Sequence, residues 1–105
     1  MPSFRARFAV QGMKSGHQPA EVLPAAWLAI PDHAHADDVR LDIEKMRPLV
    51  TVRFAIPSSN DDDEDTRAWE CARQICANMQ SLATMSPPVV LRRTGQTWTP
   101  LELPE

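Results

Sequence analysis

Between Val39 and Ile56, apolar residues take every second position on both sides of a short turn, a period that suits strands and not helices. Val39, Leu41 and Ile43 alternate with Arg40, Asp42 and Glu44, and beyond Lys45 to Pro48 the residues Val50, Val52, Phe54 and Ile56 alternate with Thr51, Arg53 and Ala55. Successive side chains of a strand point to opposite faces, so each segment has one row to bury and one to wet. Joined by a turn of about four residues, the two segments form an antiparallel hairpin that Pro57 ends. Phe4 to Val10 repeats the pattern, with Phe4, Ala6, Phe8 and Val10 on one side and Arg5 and Arg7 on the other. After Pro87 and Pro88, Val89 to Arg92 supplies a further strand. A sheet of about four strands with one dry face needs a cover.

The cover is a helix from about Asp62 to Leu82. Ala68, Ala72, Ile75, Met79, Leu82 and Ala83 fall in one arc, with Cys71 at one edge and Trp69 and Cys76 at the other. Arg67, Glu70, Arg73, Gln74, Asn78 and Gln80 take the opposite side. Pro19 to Ile30 admits two readings, a short helix opened by Pro19, Ala20 and Glu21 and interrupted at Pro24, or a strand over Ala25 to Ile30. As a helix it gives the order strand, helix, strand, strand, helix, strand. The expected fold class is therefore α+β in two layers: an antiparallel sheet covered on one face by one long helix and a second short one, of the ferredoxin-like split β-α-β kind. The 105 residues suit a single domain, 1–105, in which 97–105, with Trp98, Pro100 and Pro104, forms an edge strand or tail.

Charge follows from the same alternation. With Val89 and Leu91 facing the helices, the open sheet face displays Arg5, Arg7, Arg40, Asp42, Glu44, Arg53 and Arg92, a formal +3, while the chain carries −3 and residues 61–65 alone carry five negative charges. The molecule is expected to be electrically bipolar. Arg5, Arg7, Arg40, Arg53 and Arg92 are the expected binding residues, joined by Trp69 at the rim of the helix and Trp98 on the edge strand, since tryptophan is enriched among interface hot spots. The first functional reading is a non-catalytic interaction module that binds a protein partner, or itself as a homodimer, through the sheet face and the Trp-bearing edges. The alternative is a small dimeric ligand-binding protein or enzyme with an Arg-lined pocket for an anion. Nucleic acid is not expected, because the outward positions Arg5, Arg7, Thr51 and Arg53 include no ring for a base to stack on.

Other motifs are sparse. His33, His35 and Asp37, in the loop from Pro31 to Asp38, are the residues suited to a divalent metal, although no further ligand stands at a recognised spacing. Cys71 and Cys76, five positions apart and about 140° around a helix, are placed to pack as small apolar residues rather than to bridge. A calcium loop counted from Asp61 would need Gly at its sixth position and Glu at its twelfth, where Thr66 and Ala72 stand. Helix initiation fits the acidic run better, with Asn60 or Asp61 as N-cap, Glu64 reaching back, and the remaining carboxylates beside the positive end of the helix dipole. They also form an acidic pole suited to the basic sheet face of a second copy. No nucleophile elbow, phosphate loop or dinucleotide fingerprint is present. No cofactor is called for, no stretch is long enough to span a membrane, and a cytoplasmic location is expected.

Overall fold

The computed structural model describes residues 1–102, so the end of the expected tail, 103–105, lies outside the described residues. The fold is α+β, an antiparallel sheet of six strands with two α-helices, larger than the sheet of about four strands that the alternation predicts. The strands are β1 (Ser3–Met13), β2 (His35–Glu44), β3 (Arg47–Ala55), β4 (Ala83–Met85), β5 (Val89–Thr94) and β6 (Thr97–Pro100). Their order across the sheet is β2-β3-β1-β5-β6, with β4 pairing the far half of β1. Pro87 and Pro88, which lack a donor or a free φ, divide β4 from β5, and Ser86 bridges the gap by donating its N–H to the Ala9 carbonyl and accepting the Ala9 N–H on Oγ.

Two strands run longer than their alternation suggests, and the reason is the same in each. In β1 the register shifts between Val10 and Gly12, so Val10 faces Met85 while Met13, three residues on, faces Ala83 from the same side. In β2 it shifts between Ala36 and Asp38, so Ala36 faces Phe54 and Val39 faces Val52. A bulge inserts one extra residue and restores the phase, which turns an odd spacing into a usable one. The strand therefore begins at His35, inside the expected loop. The β2–β3 hairpin closes through two residues rather than four, Lys45 at φ 51° and Met46 at φ 66°. Positive φ at both positions marks a type I′ turn, whose twist suits the strands but which ordinarily recruits Asn and Gly.

The doubtful second segment is helical, a 3₁₀ turn at Pro19–Glu21 that leads into α1 (Val22–Ala29). Pro24 sits in the first turn of α1, where its missing N–H would have had no partner. The long helix α2 spans Asp61–Met79. Val22, Ala26 and Ala29 of α1 and Ala68, Cys71, Ala72, Ile75 and Met79 of α2 join Phe4, Ala6, Phe8, Val50, Val52, Phe54 and Val90 in one buried cluster, so both helices cover the same sheet face. Phe4 and Phe54, opposite each other in β1 and β3, stack with ring centres 5.9 Å apart. Both cysteines are buried and free, and burial pushes the Cys71 thiol up to about 12. Among the described residues no helix is long and apolar enough to cross a membrane.

The phase of β5 is opposite to the expected one. Ala6 faces Val90 and Phe4 faces Arg92, so Val90 and Arg92 point to the helices while Val89 and Leu91 lie on the open face. Val89-Val90-Leu91 is apolar at both parities, which leaves periodicity nothing to choose by. Leu91 escapes exposure because β6 folds over it, with Pro100 as its cross-strand neighbour.

Candidate anion-binding face

Arg92, expected among the outward arginines, instead clasps the acidic start of α2. Nη1 donates to Asp65 at 2.8 Å, and Nη2 donates to Glu64 at 2.8 Å and Asp61 at 3.3 Å. Asn60 is the N-cap, its Oδ1 accepting the Asp63 N–H at 2.8 Å, and Glu64 accepts the Ser59 N–H at 2.7 Å. That backbone donor first, and Arg92 second, hold the Glu64 carboxyl below its ordinary range although burial opposes them. Burial alone would lower the Arg92 guanidinium, but its bonds to Asp65 and Glu64 raise it. Asp63 takes the Ser59 hydroxyl and the Arg67 guanidinium at 3.2 Å. Four of the five carboxylates are thus engaged within the chain, which weakens the acidic pole as a docking element.

Removal of Arg92 to the other side leaves four arginines on the open face in one patch. Arg5 and Arg7 come from β1, Arg53 from β3 directly opposite Arg5, and Arg40 from β2 opposite Thr51, which itself faces Arg7. Together with Asp38, Asp42 and Thr51 they line a shallow depression of about 120 Å³. Arg40 is paired with Asp38 at 2.6 Å, and Arg53 reaches Asp37 only at 4.0 Å, too far for a hydrogen bond. Among the described residues, Arg5 and Arg7 form no ion pair, and the buried Nε atoms of Arg7 and Arg53 have no hydrogen-bond partner. Burial, and then the like charges of Arg7, Arg53, Arg40 and Arg93, push the Arg5 guanidinium down. The patch is therefore a concentration of positive charge that the chain itself leaves incompletely neutralised.

Trp98 holds part of it in place. The Gly95-Gln96 turn, with Gly95 at φ 64°, folds β6 back so that Trp98 stands opposite Arg93 and leans over β5 towards β1. The Arg5 guanidinium carbon lies 4.1 Å and that of Arg53 5.4 Å from the centre of its ring. One indole thus draws two like-charged side chains together through cation–π attraction. The alternation reading treats Trp98 as an edge anchor and finds no ring on the sheet face; the signal that places it there is the Thr94-Gly95-Gln96 turn. Along the same face a wider hollow of about 450 Å³ adjoins the depression, walled by Ala9, Pro48 and Leu49 with Glu44, Lys45 and Arg47 at its end. Ala9 and Leu49 are cross-strand neighbours one pleat beyond Arg7 and Thr51.

The other expected residues lie apart from this patch. Trp69 is only 4% exposed, its Nε1 donating to the Glu102 carbonyl at 3.0 Å, and is a core residue rather than an accessible anchor. His35 approaches Asp37 at 3.4 Å, whereas His33 faces Arg67 and Glu70 across a separate surface depression. Among the described residues no three His, Cys, Asp or Glu side chains are grouped to hold a metal ion. Compared with protein-family models, with curated proteins and with solved structures, the chain matches none.

Proposed function

We propose that this chain is a binding module that takes an anionic ligand on the open face of its sheet and performs no chemistry on it. The observation that carries the reading is the isolation of Arg5 and Arg7: two guanidiniums side by side, with no carboxylate in ion-pair range among the described residues, next to two buried Nε donors without acceptors. Buried polar atoms are ordinarily satisfied, and an exception on a concave, like-charged surface fits a missing acceptor. The depression is lined by arginine, aspartate and threonine, with no histidine, cysteine or lysine to serve as nucleophile. The strand order β2-β3-β1-β5, with α1 and α2 in the crossovers, supports a ferredoxin-like core to which β4 and β6 are additions. Sheet faces of this kind serve many purposes, so the function is argued from the arginines and not from the fold.

Thermal unfolding in sulfate and citrate, against chloride at matched ionic strength, tests the reading. A bound anion stabilises the folded state by mass action, about 2.7 kcal/mol at a concentration one hundred times Kd. The Arg7→Gln variant should lose most of that gain. Melting temperatures that depend on ionic strength alone, whatever the anion, would reject it. Light scattering in the same solutions separates the competing reading, in which the face meets a second copy or an acidic protein: a dimer that anions dissociate would favour that partner over a free ligand.

A further inference from the structure

We infer that the ligand is a small phosphate monoester, bound by its dianionic phosphoryl group among Arg5, Arg7, Arg40 and Arg53; this rests on the anion-binding reading above. Four arginines and two aspartates, Asp38 and Asp42, leave the depression with a formal charge of +2. A monoester near neutral pH carries close to two negative charges, whereas a diester, a nucleic-acid backbone phosphate or a single carboxylate carries one. Guanidinium forks suit the tetrahedral oxygens of a phosphoryl group, and the donors without acceptors, Nε of Arg7 and Nε of Arg53, come from adjacent strands of the same face. The Thr51 hydroxyl adds a neutral donor between them. Size argues for a free small molecule. The depression, about 120 Å³, suits one phosphoryl group, and the adjoining hollow of about 450 Å³ offers Ala9, Pro48 and Leu49 to an apolar ester substituent.

Isothermal titration with n-butyl phosphate, dimethyl phosphate and sulfate at pH 7.5 and pH 5.0 tests this. The charged groups facing the depression are Arg5 and Arg7 from β1, Asp38, Arg40 and Asp42 from β2, and Arg53 from β3, with Asp37 behind Arg53. None is a histidine, and sulfate, a dianion throughout, reports any titration of the protein itself. Butyl phosphate should bind at least about tenfold more tightly than dimethyl phosphate at pH 7.5. Its Kd should rise about tenfold at pH 5.0, where only about a tenth stays dianionic given a second ionisation near pH 6, while that of sulfate stays within about twofold. Arg7→Gln and, should that variant not fold, Arg40→Gln should each weaken butyl phosphate about tenfold or more. Sulfate binding without butyl phosphate binding, or equal affinities for monoester and diester, would overturn the phosphoryl assignment while leaving the anion reading standing. Failure of all three anions to bind would overturn both. A phosphoserine peptide that binds more than about tenfold tighter than butyl phosphate would assign the group to a protein and overturn the small-molecule inference.

Discussion

If the arginines of the open face are kept for a ligand, then removing one should make the empty protein more stable. Arg7 is the cleanest choice, since it has neither a carboxylate partner nor the Trp98 ring that Arg5 has. Arg5 and Arg7 lie two residues apart on one face of β1, about 7 Å at the rise of an extended chain. Two unit charges at that distance repel by about 0.6 kcal/mol in water and about 2.4 kcal/mol at an effective dielectric of 20, and an open face belongs near the lower figure. Arg7→Gln also removes a buried Nε without an acceptor, a defect worth about 1 kcal/mol or more. Against this stands one shortened stem, about 0.8 kcal/mol for a buried methylene. The balance is a gain of about 1 kcal/mol, which raises Tm by about 4–8 °C in a domain of this size. Urea unfolding monitored by tryptophan fluorescence in chloride buffer reads it, and repetition in saturating sulfate should reverse the ranking, because only the parent chain gains from the anion. A loss of about 1 kcal/mol or more in the anion-free buffer would show that Arg7 serves the fold, and the reasoning from unbalanced charge would be refuted.

Two further outcomes follow from the turns and caps. Lys45→Asn with Met46→Gly should stabilise the β2–β3 hairpin by about 1–2 kcal/mol, because non-glycine residues in left-handed backbone are disfavoured and Met46 is 95% exposed with little packing to lose; an unchanged denaturation midpoint would contradict the type I′ geometry. Glu64 is held below its ordinary range in the folded chain, so the stability it contributes is present above the unfolded carboxyl range and is lost as pH falls through the folded value. Comparing urea midpoints at pH 7 and pH 3, Glu64→Gln should show a smaller acid-induced fall than the parent, and an equal fall would sever Glu64 from the acid response.

The two-layer α+β plan is legible in the chain wherever periodicity is clean: Phe4 to Val10, Val39 to Glu44, Val50 to Ile56 and the α2 arc all bury the faces that their spacing indicates. It fails where a bulge changes the count, as at Asp37 and Gln11, because one inserted residue breaks the alternation that marks a strand. It fails also at Val89-Val90-Leu91, where every position is apolar. The arginines Arg5, Arg7, Arg40 and Arg53 were readable as an outward row from alternation alone. Their closeness was not, because the cross-strand register that sets Arg5 against Arg53 and the fold-back of β6 that brings Trp98 over them are properties of pairing. Trp69 misled for a related reason: at the edge of a helical arc, exposure depends on what the end of the chain covers, and here the Glu102 carbonyl meets its indole.

The clasp of Arg92 on Asp61, Glu64 and Asp65 bears on how β5 chooses between two nearly degenerate alignments. Slipped by one residue, β5 would still bury an apolar side chain against the helices, so hydrophobicity alone discriminates poorly between the alignments. The slip would, however, carry Arg92 into the already positive patch beside Arg5 and strand Glu64, 4% exposed, without its cation. The carboxylates at the head of α2 thus act as a lock that admits one threading of β5, so the acidic run encodes strand register from the opposite layer.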